Sequence, residues 1–461
     1  MKKDMALQNE KFVCECDEGL RSSCKNEKFF KQHSDKNYCV LHYPDFDKLD
    51  AFAEAVQRKI DSHNYDFKGV WFPTEFNFQY FDAQVEMDFS YAHFTKETRF
   101  SSTKFKNRID FSHACFAEIV YFNWSEFHLE TNFFHAHFVK DAWFFKTEFQ
   151  KRVDFGQGTF ESKTFFHETN FVGEVNFKSA RIFDNISFKS ATFQDYLSFD
   201  GHLSHKQYTK NTFFEFQDTR FRKPELVSFH SMNLSPHWFV DVDSRKLVFI
   251  NINWNFDIEH EIKSLETRGI YYPEKLLRIA CQQLATNMEE NNQYDEASNF
   301  RQIALEMERT EKSDSLRKSF KAFSKKQSYE IDSNKVSKSL PTIFFRLVKD
   351  FFLKLFNLLL HYLYRFTSFY GERWNWAFFV LLIILTISTF LYTTSYCVFK
   401  DGKQGFDIWE AISYSLRVMA LQRPEPFPEN SFSKIIVALQ TIFAPLQLAL
   451  LALAIRRKFM R

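Results

Sequence analysis

Phenylalanine recurs every eleven residues through the first half of this chain, at 78, 89, 100, 111, 122, 133, 144, 155, 166, 177, 188 and 199. A second series interleaves with it through Phe94, Phe105, Phe116, Phe127, Phe138, Phe149, Phe160, Phe171 and Phe193, broken at Ala83 and Ile182. Going from one series to the other takes alternately 5 and 6 residues. Small residues sit two before each second-series position, as at Ala92, Thr103, Ala114, Ser125, Ala136, Thr147, Gly158 and Thr169. Small or β-branched residues such as Ile109, Val120, Thr131, Ala142 and Val153 precede the first series in the same way.

A spacing near five matches neither the 3.6 period of a helix nor the 2.0 period of a strand. It suits a coil that turns a corner about every fifth residue and sends one large side chain per face to the axis. Stacked coils then put Phe on Phe, and their backbones pair with the coils above and below. Four faces per coil give about six coils over 67–199, and at ~4.8 Å per coil a rod about 30 Å long. The rhythm breaks at 200–213, a predicted loop. It resumes loosely at Phe216, Phe221, Phe229, Leu234 and Phe239, then fades near Phe249–Trp254. Composition agrees: 461 residues hold 61 Phe but only 10 Gly and 10 Pro, too few turn residues for an ordinary sandwich or Rossmann protein.

The pattern resembles the Phe-rich form of the pentapeptide-repeat family, over at least residues 67–199. That resemblance implies a right-handed quadrilateral β-helix, here placed at 64–255, with Phe89, Phe100, Phe111, Phe122, Phe133, Phe144 and Phe155 in its core ladder. Some members of that family mimic DNA with an acidic surface. Here 14 Lys/Arg and 17 Asp/Glu are interspersed over 67–199, and the whole chain has a formal net charge of +2. Neither DNA mimicry nor a nucleic-acid partner is expected. A protein partner would meet the outward positions, where His113, His128, His135, His137 and His167 read as ordinary surface residues.

Before the repeats, residues 1–43 carry Cys14, Cys16, Cys24, Cys39 and His42. In a reducing compartment such a cluster reads as metal ligands before disulfides. Five candidates compete for the four places of a tetrahedral structural zinc site, Cys39-x-x-His42 being the better-placed half. Free thiols in a frayed terminus are the alternative. No helix pairs these ligands with a Glu base, so a catalytic zinc is not expected. Residues 44–63 predict an amphipathic helix that caps the open end of the rod.

Residues 256–312 lose the Phe rhythm and predict a helical hairpin, rather like one tetratricopeptide-type unit. Leu276, Leu277, Ala280, Leu284 and Met288 form one stripe, and Ala297, Phe300, Ala304 and Met307 the other. A spacer or oligomer contact is its expected role. The Lys- and Ser-rich stretch 313–340 reads as a flexible basic linker attracted to anionic lipid. Within 341–370, Arg346, Lys349, Asp350, Lys354, Asn357, His361 and Arg365 draw a polar stripe on a Phe/Leu-rich helix. This predicts an amphipathic helix lying along a membrane surface. A buried core helix is the alternative.

Residues 371–461 hold two long uncharged runs, which predict spans at 375–398 and 435–455. Trp374, Trp376, Tyr392 and Tyr396 sit near the ends of the first, and Arg456, Arg457, Lys458 and Arg461 close the second. Basic residues at both outer ends place the N-terminal domain and the C-terminus in the cytoplasm of a multi-pass inner-membrane protein. No signal peptide is visible in MKKDMALQNEKF. Between the spans, 406–421 predicts a short amphipathic helix, followed by the Pro-rich Arg423–Pro428.

The order of span, short helix, loop and span resembles the two-helix ion-channel domain that follows pentapeptide repeats in some bacterial proteins. It implies a re-entrant segment contributed by several subunits of a homo-oligomer, with Ser413, Ser415, Arg417 and Gln422 lining the pore. A potassium filter needs a TVGYG-like run of carbonyls. MALQRPEP stands there instead, so potassium selectivity is not expected. Two functions follow: a pore gated by a cytoplasmic β-helix sensor, compatible with a bacterial stress or antiphage effector, or a membrane-tethered interaction scaffold without conduction. No P-loop, nucleophile elbow or His-Glu-x-x-His appears, and an enzyme is not expected.

Overall fold

The computed structural model describes residues 12–201, 214–332 and 340–459. The leader reading of the first residues, the loop predicted within 202–213 and the linker at 333–339 lie outside them. The chain divides into two compact units, Met1–Ile270 and Tyr271–Arg461, each described by itself.

The first unit is a parallel β-solenoid of about eight turns with a 22-residue spacing. Most of its strands are two residues long, and they form four parallel sheets of eight, six, seven and seven strands, one per face. Up to Asp200 the register is 22 residues on every face: Ile109 pairs with Thr131, Cys115 with His137, Val120 with Ala142 and Glu126 with Glu148. Beyond it the pairings are less regular, as Ile186 with Phe214, Leu197 with Val227 and Ser228 with Val248.

The reason lies in the interior. The two Phe series split into four columns, one per face. Phe89, Phe111, Phe133, Phe155, Phe177 and Phe199 stack with centroids 4.9–5.3 Å apart and planes within 9° of parallel. Phe100, Phe122, Phe144, Phe166 and Phe188 stack at 4.6–5.1 Å. Phe94 to Phe160 and Phe105 to Phe193 form the other two columns. Neighbouring columns meet edge to face, as Phe122 and Phe133 do at 5.5 Å and 83°, the arrangement ring quadrupoles favour. Ala83 and Ile182 occupy column positions and are buried like the rings they replace.

The alternation of 5 and 6 residues reflects two kinds of corner. At the five-residue step the chain makes a hydrogen-bonded turn, as where the Ala92 amide donates to the Phe89 carbonyl at 3.0 Å. The third residue of each such turn has positive φ, and it recurs every eleven residues: Tyr91, Ser102, His113, Trp124, His135, Lys146, Gln157, Glu168, Ser179 and Ser190. A positive φ at this one position is the geometry of a type II turn, where Gly or Asn is usual. None of these residues is either, and the backbone conformation is imposed by the coil. The small residues noted in the sequence close the same turns. Thr103, Ser125, Thr147 and Thr169 donate their hydroxyls to the carbonyls of Phe78, Phe100, Phe122 and Phe144 at 2.6–2.9 Å, so no hydroxyl among these four is wasted in the apolar core. At a six-residue step, Gly173 comes so close to the Lys151 backbone that a Cβ there would lie 2.3 Å from its carbonyl carbon.

Both ends of the solenoid are covered. Helix α1 (Leu49–Asp61) buries Phe52 and Ala55, and Phe52 meets Phe72 edge-on at 5.5 Å. At the other end, helix α2 (Ile258–Glu266) packs on the short turn Pro236–Phe239. Its Glu261 is fully buried and accepts from the His237 amide (2.8 Å), the His237 Nδ1 (2.5 Å) and the Asn255 Nδ2 (3.0 Å). Residues 256–270 therefore belong with the solenoid, whereas their composition joined them to the hairpin that follows.

In the second unit, helices α3 (Pro273–Glu290) and α4 (Tyr294–Asp332) form the hairpin. Leu277, Ala280, Leu284 and Met288 are buried with Ala297, Phe300, Ala304 and Met307. Helix α4 runs on to Asp332, although its Lys/Ser-rich composition predicts an irregular linker from 313. Helix α5 (Leu340–Ser368) supplies the reason, because its polar stripe lies along α4. Lys354 donates to Ser319 Oγ at 2.9 Å, Lys312 to His361 Nε2 at 2.5 Å and Arg309 to Tyr362 OH at 2.6 Å, and Arg365 pairs with Glu306 at 3.4 Å. The opposite stripe of α5, with Phe352, Leu353, Phe356, Leu360, Leu363 and Phe366, is exposed.

Helices α6 (Trp374–Thr393) and α8 (Ser431–Phe459) are long and apolar enough to cross a membrane. Helix α6 stops five residues before the span predicted to Val398. There the chain turns into a small antiparallel pair, Val398–Phe399 with Lys403–Gln404. Helix α7 (Ile408–Met419) lies between them, N-capped by the Asp407 carboxylate.

Replacing Phe133 with Ala removes a ring stacked at 5.0 Å on both sides. It is expected to cost about 3–5 kcal/mol, read as faster hydrogen exchange in the coils on either side. Gln157→Gly relieves the positive φ and slows that exchange, whereas Gln157→Val, with its branched Cβ, raises it by about 1–2 kcal/mol of local stability.

Candidate functional site

The cysteine module is built from a 3₁₀ turn, Glu18–Cys24, and an antiparallel hairpin, Phe29–His33 with Lys36–Cys39, which turns through positive φ at Ser34 and Asp35. Cys24 ends the turn and Cys39 ends the hairpin. One further tight turn, closed by the Tyr43 amide on the Cys39 carbonyl at 3.0 Å, swings His42 back beside Cys39. Cys14 and Cys16 approach from the irregular segment before the turn, where the Glu15 amide donates to the Asn37 carbonyl at 2.9 Å.

The ligand atoms of Cys14, Cys16, Cys24 and His42 all lie within 4.8 Å of one another, and all four residues are buried. The His42 Nδ1 is 3.8 Å from Cys14 Sγ and 3.4 Å from Cys39 Sγ. With Zn–S near 2.3 Å and Zn–N near 2.0–2.1 Å, a tetrahedral site has S···N edges of about 3.5 Å. The cluster therefore has both the donors and the size for a metal ion. The Cys39 amide also donates to Cys14 Sγ at 3.4 Å, the kind of outer contact that steadies a thiolate.

The imidazole is held by its far nitrogen. His42 Nε2 lies 3.1 Å from the Lys68 carbonyl and 3.1 Å from Ser23 Oγ, and Ser23 Oγ donates to the same carbonyl at 2.7 Å. A proton on Nε2 leaves Nδ1 as the lone pair that faces the sulfurs. Hydrogen bonds from Cys16, Cys24 and Cys39 hold the Cys14 thiol far below its ordinary value, against the opposing effect of burial. A shared negative charge among these sulfurs is what a cation would neutralise.

The module is fastened to the first coil. Lys59, buried on α1, donates to the Ser23 carbonyl at 2.8 Å, and the Trp71 amide donates to the Leu41 carbonyl at 3.0 Å. Lys48 donates to the Leu41 carbonyl at 2.9 Å and lies over the rings of Phe52 and Trp71. Burial brings its ammonium down to about 7.

In the second unit, the four residues expected to line a pore do not share a face. Ser413 and Arg417 are exposed on α7, and Gln422 is exposed just beyond it. Ser415 is fully buried on the opposite face with Ala411, Tyr414 and Val418. Its carbonyl and Oγ accept from Gln440 Nε2, at 3.2 and 2.5 Å, and Gln440 Oε1 accepts from Tyr392 OH at 2.7 Å. This network joins all three helices. A second buried glutamine, Gln447, donates to the carbonyls of Thr367 and Ala377 at 2.8 Å each. Neither glutamine figures among the sequence candidates, although two amides seven residues apart in an apolar run were the available signal.

Of the outward histidines, His113 and His135 stack at 4.8 Å, His137 pairs with Glu161 at 2.7 Å and His167 with Ser187 Oγ at 2.7 Å. Among the described residues they join no cluster of three or more metal-ligating side chains. Compared with protein-family models, curated proteins and solved structures, the chain has no match.

The full-length chain, purified without chelator, is expected to carry about one equivalent of bound metal by elemental analysis, as four ligands per ion require. Cys24→Ser and His42→Asn abolish it. Acidification releases the metal, because protons compete for the thiolates.

Proposed function

We propose that this is a membrane-anchored pentapeptide-repeat protein, its solenoid a right-handed quadrilateral β-helix, that assembles as a homo-oligomer around an ion-channel-like pore. The 22-residue register with one inward Phe per face supports the family reading. Zinc at Cys14, Cys16, Cys24 and His42 serves structure: it staples a module of about thirty residues, too small for a core of its own, to the first coil. The observation that carries the pore reading is α7. It is a short capped helix between two apolar ones, and it leaves Trp409, Ser413, Leu416 and Arg417 uncovered within one chain. Backbone that leaves the helical state at membrane depth is tolerated where protein or water surrounds it. Copies of the chain around an axis would supply that cover and bring Ser413 and Arg417 to the lumen.

In this reading the apolar stripe of α5 lies in the membrane interface while its polar stripe holds α4. The solenoid and both chain ends face the cytoplasm of a bacterial inner membrane. A protein partner on the solenoid or hairpin would bias the pore through α4 and α5, as a stress or antiphage effector requires. The second reading, a tethered scaffold without conduction, rests on the spans being held together within one chain by Gln440 and Gln447. A bundle already satisfied by itself needs no further copies.

Purified protein in a planar bilayer decides between them. The pore reading expects stepwise currents that Arg417→Glu shifts toward cation selectivity, together with a cyclic oligomer in detergent. Electrical silence from a monomeric particle leaves the scaffold.

A further inference from the structure

A cavity of about 440 Å³ opens in the second unit where the ends of the two apolar helices meet the hairpin. Its lining includes Arg301, Glu372, Arg373, Arg457, Lys458 and Asp295. Glu372 is the hub. Its side chain is 2% exposed, and it accepts from Ser298 Oγ at 2.8 Å, Arg301 Nε at 3.0 Å and Arg457 Nη1 at 3.0 Å. Lys458 pairs with Asp295, and Arg301 also pairs with Glu289. Four cations thus face three carboxylates, which leaves one positive charge in excess. Arg373 carries it: this exposed residue lies over the Phe369 ring at 4.8 Å, and no ion pair to it is present among the described residues.

The position of the cavity says what would meet it. Trp374 begins the first apolar helix, and Arg457 and Lys458 end the second. In a bilayer these residue types sit at the level of the headgroups. Basic pockets between spanning helices at that level suit phosphate headgroups. We infer that this cavity takes the phosphate of an anionic phospholipid headgroup, with Arg373 as the residue that recognises it. A phosphodiester carries one negative charge, which the excess cation balances. The lipid would then brace the junction of α4, the α5–α6 turn and α8. The inference rests on the membrane reading above.

The test uses the full chain in phosphatidylcholine nanodiscs, with phosphatidylglycerol added, and counts co-retained lipid by native mass spectrometry. Preferential retention of phosphatidylglycerol is expected. Arg373→Gln should weaken it about fivefold, the effect of one charge near a membrane surface. Arg373→Lys keeps most of it, which separates charge from folding. Arg456→Gln, outside the lining, leaves it unchanged. Equal retention of both lipids overturns the inference, as does an equal loss in Arg456→Gln. So does equal thermal protection by soluble glycerol phosphate, which would make the ligand a free phosphate ester. A chain that stays in solution without detergent sinks the membrane reading itself; one that needs detergent yet ignores phosphatidylglycerol sinks only this assignment.

Discussion

Phenylalanine rings stacked at about 5 Å set the pitch of the solenoid, and the rest of the first unit follows from that contact. The strand spacing of a β-sheet, about 4.8 Å, falls within the roughly 4.5–7 Å centroid separation at which offset aromatic rings are in contact. One coil can therefore satisfy its backbone hydrogen bonds and its ring contacts at the same rise. Burying each ring is worth roughly 2 kcal/mol, and most coils bury four, with Ala83 and Ile182 standing in for a ring in theirs. The cost falls on the corners, where non-glycine residues from Tyr91 to Ser190 hold positive φ. Glycine would ease those corners, but it would also loosen the unfolded chain, so its scarcity has a compensating side.

A stack held by identical layers has no internal reason to stop, and its last rings would face water. Both ends are therefore closed by something different. At the start, α1 covers Phe72, and the cysteine module sits beside it, joined through Lys59, Ser23 and Lys68. At the finish, α2 inserts Glu261 beneath His237. Each closure uses a buried polar group whose partners lie far away in sequence. Such groups are costly unless paired, which makes them specific fasteners: only one docking of the cap satisfies them.

The second unit uses the same device in an apolar setting. Two helices that are hydrophobic all round have little to fix their rotation against each other. Gln440 and Gln447 do so by hydrogen bonds to Tyr392, Ser415 and backbone carbonyls. Glu372 performs the corresponding service at the helix ends, gathering Ser298, Arg301 and Arg457. In both units, then, bulk apolar burial makes the elements cohere and single polar residues decide their arrangement.

The chain's own sequence determined what repetition or composition can write. Twelve Phe at an eleven-residue period specify a coil whichever of them is consulted, and the missing rings at Ala83 and Ile182 do not obscure it. Four cysteines and a histidine within thirty residues mark a cluster, and two uncharged runs mark two apolar helices. What repetition cannot write was left to the tertiary structure. Nothing local distinguishes Ser413 from Ser415, yet one is exposed and the other lies against Gln440. Nothing in the Lys/Ser-rich stretch after residue 312 foretells a helix, because α5 provides its partner, as Lys354 does for Ser319 from 35 residues away. The turn residues with positive φ carry no common side chain, since the neighbouring coils impose their conformation. Periodic burial is redundant and so legible in one dimension. A contact made once, between residues distant in the chain, has no second copy to reveal it.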